Sequence, residues 1–65
     1  MRILVNGASR EVKAAAVSAA LEELGYGGAV IATAVNGEFV PVADRQTARL
    51  AEGDRLEVLA PMQGG

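Results

Sequence analysis

Length, composition and charge narrow the classes of protein to which this chain can belong. Its 65 residues have room for one domain, and so small a core rarely supports both a cleft and a fixed set of catalytic groups. The chain contains neither histidine nor cysteine, has a formal net charge of −2 and scatters its six basic residues, which argues against a conventional enzyme, a metal site and a nucleic-acid partner. No apolar run could cross a bilayer, so we expect a soluble, cytoplasmic protein.

The N-terminal residues predict a β-hairpin. Residues 2–6 alternate, with Ile3 and Val5 on one face, which is the period of a half-buried strand. Asn6-Gly7 is a strong turn dipeptide because both residues tolerate positive φ. A short strand at residues 10–12 is expected to pair back against the first.

A helix is predicted from Ala14 to Leu24. Its apolar residues follow helical spacing and form one stripe: Val17, Ala20, Leu21 and Leu24. Gly25 is the expected C-cap. The start is less clearly marked, because alanines occupy positions 14–16, where Ser, Thr, Asp or Asn would normally cap the first turn.

The second half of the chain predicts another hairpin and a final strand. Residues 30–35 read as a strand, and Asn36-Gly37 turns the chain into a strand at residues 38–40 that Pro41 ends. Residues 44–50 predict a helical turn or an irregular crossing. Residues 55–60 alternate again, with Leu56, Val58 and Ala60 on one face.

This order of elements predicts an α+β fold of the ubiquitin-like β-grasp type. One main helix can cover one face of a mixed sheet of four to five strands if the first and last strands run parallel at its centre. We expect residues 1–60 to form this domain and residues 61–65 to form a flexible C-terminal tail, ending in Gly64 and Gly65.

The C-terminal carboxylate is the strongest candidate for a reactive group. The hydroxyls of Ser9 and Ser18 have no histidine to activate them, and the carboxylate pairs of the chain read as solvated surface. A carboxylate on a tail can enter a narrow active site only if its last residues lack bulky side chains, which Gly64 and Gly65 satisfy.

Four stretches of the chain are together similar to a known family: residues 3–7, 34–41, 52–58 and 60–65. They resemble the ThiS-type sulfur carriers of thiamine biosynthesis, nearly from end to end. The chain departs from the family's pattern at Ala16, where relatives tend to have a capping hydroxyl residue, and at Val42, where they often have a basic residue. Neither position belongs to the tail.

The resemblance implies a protein cosubstrate rather than an enzyme. A ubiquitin-activating-type adenylyltransferase would use ATP and Mg²⁺ to adenylate Gly65, and a sulfur donor, such as a cysteine desulfurase, would convert it to a thiocarboxylate. Thiazole synthase would then receive the sulfur. Gly64, Gln63 and Met62 would thread the partner's channel, and the carrier itself would bind no cofactor and no metal.

A docking patch is also predicted. If Ile3, Val5, Leu56 and Val58 face the helix, then Leu4 and Leu59 point outward from adjacent central strands. We hypothesise that these two leucines contact the partner proteins.

Three other functions fit parts of the sequence. The small subunit that supplies sulfur to molybdopterin synthesis shares the fold and the terminal glycines, but is usually longer. A ubiquitin-like modifier would join the Gly65 carboxylate to a lysine of a target protein. A simple interaction module would not need Gly64 and Gly65 at all.

Overall fold

The computed structural model describes residues 1–60, and within that range the chain forms a five-stranded sheet, one α-helix and one 3-10 helix. In chain order the elements are β1 (Arg2–Val5), β2 (Ala8–Glu11), α1 (Val17–Glu23), β3 (Ala32–Val35), β4 (Glu38–Val40), the 3-10 helix (Val42–Asp44) and β5 (Arg55–Leu59).

The sheet has the predicted topology. Its strand order is β2-β1-β5-β3-β4, which places the first and last strands side by side at the centre. These two strands run parallel, with Val5 opposite Leu56, whereas every other pair in the sheet is antiparallel. The β-grasp prediction is confirmed.

One face of the sheet packs against α1 and forms the core. The predicted inward residues of the central strands, Ile3, Val5, Leu56 and Val58, are all buried. They join Val17, Ala20 and Leu21 of the helix in a single apolar cluster. Ala60, which was predicted to face inward with them, is exposed because β5 ends one residue earlier, at Leu59.

Both predicted hairpin turns are present, and both use their asparagine in the left-handed conformation. Asn6 and Asn36 each have φ of 50°, and the glycines that follow have φ of 87° and 85°. Two successive residues at positive φ match the right-handed twist of the flanking strands, which is why Asn-Gly favours such tight turns.

The helix begins three residues later than the sequence predicts. Lys13 and Ala14 donate their backbone N–H groups to the carboxylate of Glu23, and the carbonyl of Ala15 accepts the N–H of Leu50. In a helix that began at Ala14, the N–H of Ser18 would bond the carbonyl of Ala14, but it donates to the carbonyl of Arg45 instead. Ala16 is also extended, with ψ of 139°. These contacts override the helix propensity of the alanines. The two backbone hydrogen bonds also lower the pKa of Glu23, because they stabilise its charged form.

Ala16 is the N-cap of α1, and it offers no side-chain hydrogen bond. The N–H groups of Val17 and Ser18 already donate to the carbonyls of Ala48 and Arg45. In the first turn this leaves the N–H of Ala19 for a capping side chain at position 16.

We therefore expect Ala16→Thr to raise the free energy of unfolding by about 0.5–2 kcal/mol. Urea unfolding followed by circular dichroism measures the change. Ala19→Thr serves as the control, because position 19 is exposed and lies inside the helix. An unchanged midpoint for Ala16→Thr would show that the side chain does not cap.

Other boundaries also differ from the sequence prediction: β2 spans Ala8–Glu11 rather than residues 10–12. β3 begins at Ala32 rather than at residue 30, and the chain after Pro41 forms a short 3-10 helix before its irregular crossing to Leu50. The side chain of Leu50 is buried in the core, so this crossing closes one end of the domain.

Candidate functional site

The predicted reactive residues continue directly from the central strand of the sheet. Met62, Gln63, Gly64 and Gly65 lie outside the described residues. The structure does describe β5 and Ala60, which lead to them. The candidate site is therefore the surface at the end of β5, from which the tail starts.

The end of β5 is held from both sides. On one side Leu59 pairs with Ala32 of β3. On the other side the side-chain amide of Asn6 bonds both backbone groups of Val58, accepting its N–H at 2.8 Å and donating to its carbonyl at 3.0 Å. Hydrogen bonds therefore hold β5 on both sides up to Val58, two residues before Ala60.

The beginning of β5 is fixed by a second amide. Asn36 accepts the N–H of Arg55 at 2.9 Å and donates to the carboxylate of Asp54 at 3.0 Å. Asp54 also accepts the N–H of Ala51. The side-chain hydrogen bond from Asn36, followed by the backbone one, lowers the pKa of Asp54 because both stabilise its charged form.

The outer face of the sheet, opposite the helix, has an apolar patch beside the end of β5. Leu59 and Phe39 are each 68% exposed, and between their strands β3 presents only Ala32 and Ala34. Small side chains flanked by large ones leave a depression of about 190 Å³. We call these four residues, Ala32, Ala34, Phe39 and Leu59, the apolar patch.

The two leucines predicted to form a docking patch share this outer face but are not side by side. Leu4 is 37% exposed and lies opposite Arg55, four residues before Leu59 on β5. At about 3.3 Å per residue this separation is about 13 Å, and Glu57 lies between the two positions. The neighbours of Leu59 are instead the alanines of β3.

Phe39 was not predicted as a site residue. Its outward direction follows from the alternation of β4, in which the next residue, Val40, is buried. Its place in the apolar patch requires the order of β4, β3 and β5 in the sheet, which the local pattern does not give. In that order Phe39 lies opposite Ala34, and Leu59 lies opposite the neighbouring outward alanine, Ala32.

A larger depression of about 430 Å³ lies on the other side of the domain, between α1, the glycine-rich loop that follows it and the 3-10 helix. The guanidinium of Arg45 lines it, but donates to the hydroxyl of Thr33 and to the carbonyl of Ile31. Arg45 therefore joins this crossing to the sheet.

Residues 1–60, which the structure describes, contain no group of three acidic side chains placed to hold a metal ion. None of their helices is long and apolar enough to span a membrane.

Comparison with known proteins identifies a family and similar solved structures. The model of the ThiS family matches residues 3–65. The crystal structure of the thiamine biosynthesis protein ThiS from Geobacter metallireducens superposes with a TM-score of 0.84 at 28% identity, and the match covers 100% of each chain. No curated protein matches the chain. Since the family model spans nearly every residue and the fold agrees with it, the chain belongs to the ThiS family.

Proposed function

We propose that this protein is a sulfur carrier of thiamine biosynthesis and that the carboxylate of Gly65 carries the sulfur. The observation that supports this most directly is the family match, which extends through Gly64 and Gly65 to the last residue. The protein is a cosubstrate that partner enzymes load and unload in the cytoplasm, and not itself an enzyme.

The proposed chemistry begins with activation, because a free carboxylate is a poor electrophile. A carboxylate oxygen of Gly65 attacks the α-phosphorus of ATP in an adenylyltransferase of the ubiquitin-activating type, and pyrophosphate leaves. Mg²⁺ in that partner neutralises phosphate charge as it develops. The product is an acyl-adenylate, whose AMP is a good leaving group.

A sulfur nucleophile then attacks the acyl carbon and AMP leaves. If the nucleophile is a persulfide, such as that of a cysteine desulfurase, a further thiol must reduce the S–S bond to leave the thiocarboxylate. Thiazole synthase is the proposed acceptor of this sulfur. Gly64, Gln63 and Met62 form the part of the tail that enters each partner's channel, where glycine leaves room.

The length of the tail requires close contact between the carrier and each partner. Residues 61–65 can extend at most about 18 Å beyond Ala60. An active site that takes up Gly65 must therefore lie close to the end of β5. The apolar patch is next to that end, and burying it against an apolar surface of the partner would stabilise the complex.

We expect Leu59→Ser and Phe39→Ser each to raise the KM of the carrier for the adenylyltransferase by about tenfold, since each removes roughly 1–2 kcal/mol of apolar contact. Leu4→Ser should have a smaller effect, because Leu4 is less exposed and lies at the rim of this surface. Pyrophosphate release at varied carrier concentration measures KM.

Val42→Ser is the matched control for these variants. Val42 is 70% exposed, about as much as Leu59, but it lies beside the larger depression on the other side of the domain. An equal rise in KM for Val42→Ser and Leu59→Ser would contradict docking through the apolar patch.

A further inference from the structure

The side chain of Asn6 extends the central parallel strand pair beyond the end of β1. The backbone N–H of Asn6 donates to the carbonyl of Leu56 at 3.0 Å, and the chain then turns away at Gly7. The amide of Asn6 continues along β5 and bonds both the N–H and the carbonyl of Val58. One donor and one acceptor on an amide reproduce what the next peptide group of β1 would offer.

The contact with Asn6 determines how far along β5 the edge that faces β1 is hydrogen-bonded. The backbone pairing of the two strands extends only to Val5 opposite Leu56. Without the amide of Asn6, Val58 and the residues after it would be bonded to β3 alone. Those residues are the last ones before the tail.

We propose that Asn6 is a positioning residue that fixes the direction in which the chain leaves the sheet toward Gly65. The inference rests on the proposed carrier function. By holding Val58, Asn6 keeps residues 58–60 ordered before a partner binds, so the partner does not have to order them. Fixing the backbone of one residue costs about 1–2 kcal/mol, which corresponds to about tenfold in rate or affinity.

Asn36 provides a matched control within the same chain. It belongs to the same dipeptide, Asn-Gly, has the same φ of 50° and also bonds the backbone of β5 through its amide. Its contact is with Arg55, at the end of β5 that is remote from the tail. Loss of either amide should cost similar stability, and only loss of Asn6 should affect the tail.

Glycine is the appropriate substitution at both positions. It removes the amide but tolerates positive φ without strain, whereas alanine would add backbone strain to the loss of the hydrogen bonds. Asn6→Asp is a second variant: its carboxylate can accept from Val58 N–H, but it donates to the Val58 carbonyl only when it is protonated.

The experiment compares steady-state adenylation and amide hydrogen exchange in the full chain. For Asn6→Gly we expect kcat to fall about tenfold, because residues 58–60 are then less ordered in the bound complex and Gly65 is less often placed for adenylation. The four residues of the apolar patch are unchanged, so we expect a smaller change in KM. We also expect exchange to accelerate at residues 58–60. For Asn36→Gly we expect wild-type kcat and faster exchange near Arg55. For Asn6→Asp we expect kcat, relative to wild type at each pH, to recover as the pH falls and the carboxylate is protonated.

Equal losses of kcat in Asn6→Gly and Asn36→Gly would overturn the proposal, since they would indicate general destabilisation. Unchanged kcat in Asn6→Gly would overturn it as well. Failure of the proposed function would give a different result from failure of this inference. The wild-type protein would then show no adenylation, while exchange at residues 58–60 would still differ between wild type and Asn6→Gly.

Discussion

Deletion of Gly64 and Gly65 is expected to abolish adenylation and sulfur loading completely while leaving the unfolding midpoint unchanged. The truncated chain still ends in a carboxylate, but this group now belongs to Gln63, two residues short of the adenylyl-transfer position and carrying a long side chain. The deletion leaves in place every residue of the apolar cluster that the structure describes, so we expect its packing to be unaffected. Pyrophosphate release and urea unfolding measure the two properties.

Gln63→Ala is the control for this deletion, because it alters the tail without shortening it. We expect it to retain adenylation. Normal sulfur loading of the truncated chain would contradict the role of Gly65, and would favour a simple interaction module that does not use its terminus.

Leu56→Ala is expected to lower the unfolding midpoint in urea sharply. Leu56 is fully buried on β5, opposite Val5 of β1 and Val35 of β3. Truncating a buried leucine costs about 2–5 kcal/mol, partly through lost burial and partly through the cavity left behind. A domain of 65 residues has a total stability of only roughly 3–10 kcal/mol, so one such loss removes much or all of it.

Leu59→Ala is the matched control on the same strand. Leu59 has the same side chain but is 68% exposed, so we expect a change within about 0.5 kcal/mol. Far-ultraviolet circular dichroism measures the unfolding midpoint of both variants in urea. It is the appropriate probe because the chain contains no tryptophan for fluorescence. Similar unfolding midpoints for the two variants would contradict the assignment of β5 faces.

The sequence predicts most of this fold because its signals are local and agree with one another. Alternating residues mark β1 and β5, and both Asn-Gly dipeptides form the expected turns. The glycine expected to end the helix has φ of 92°, a conformation that glycine adopts without strain. The central parallel pair then follows from covering a mixed sheet with one helix.

The features that the sequence does not predict depend on contacts between distant residues. The helix starts late because the N–H groups of Val17 and Ser18 bond the distant carbonyls of Ala48 and Arg45 rather than those of residues 13 and 14. The apolar patch differs from the predicted pair of leucines because the register of β1 and β5 separates Leu4 from Leu59. The amide of Asn6 reaches Val58, 52 residues away, and no local pattern indicates that contact.

Carriage of sulfur by this protein requires that the carboxylate of Gly65 become a thiocarboxylate. The most direct test is the intact mass of the protein after incubation with its adenylyltransferase, MgATP and a sulfur donor, followed by fragmentation to locate the change. We expect replacement of one oxygen by one sulfur, confined to the peptide that contains Gly65 and absent without ATP. An unchanged mass, with an adenylyltransferase shown to load another carrier, would exclude the sulfur-carrier function. An isopeptide bond from Gly65 to a lysine would establish a protein modifier instead.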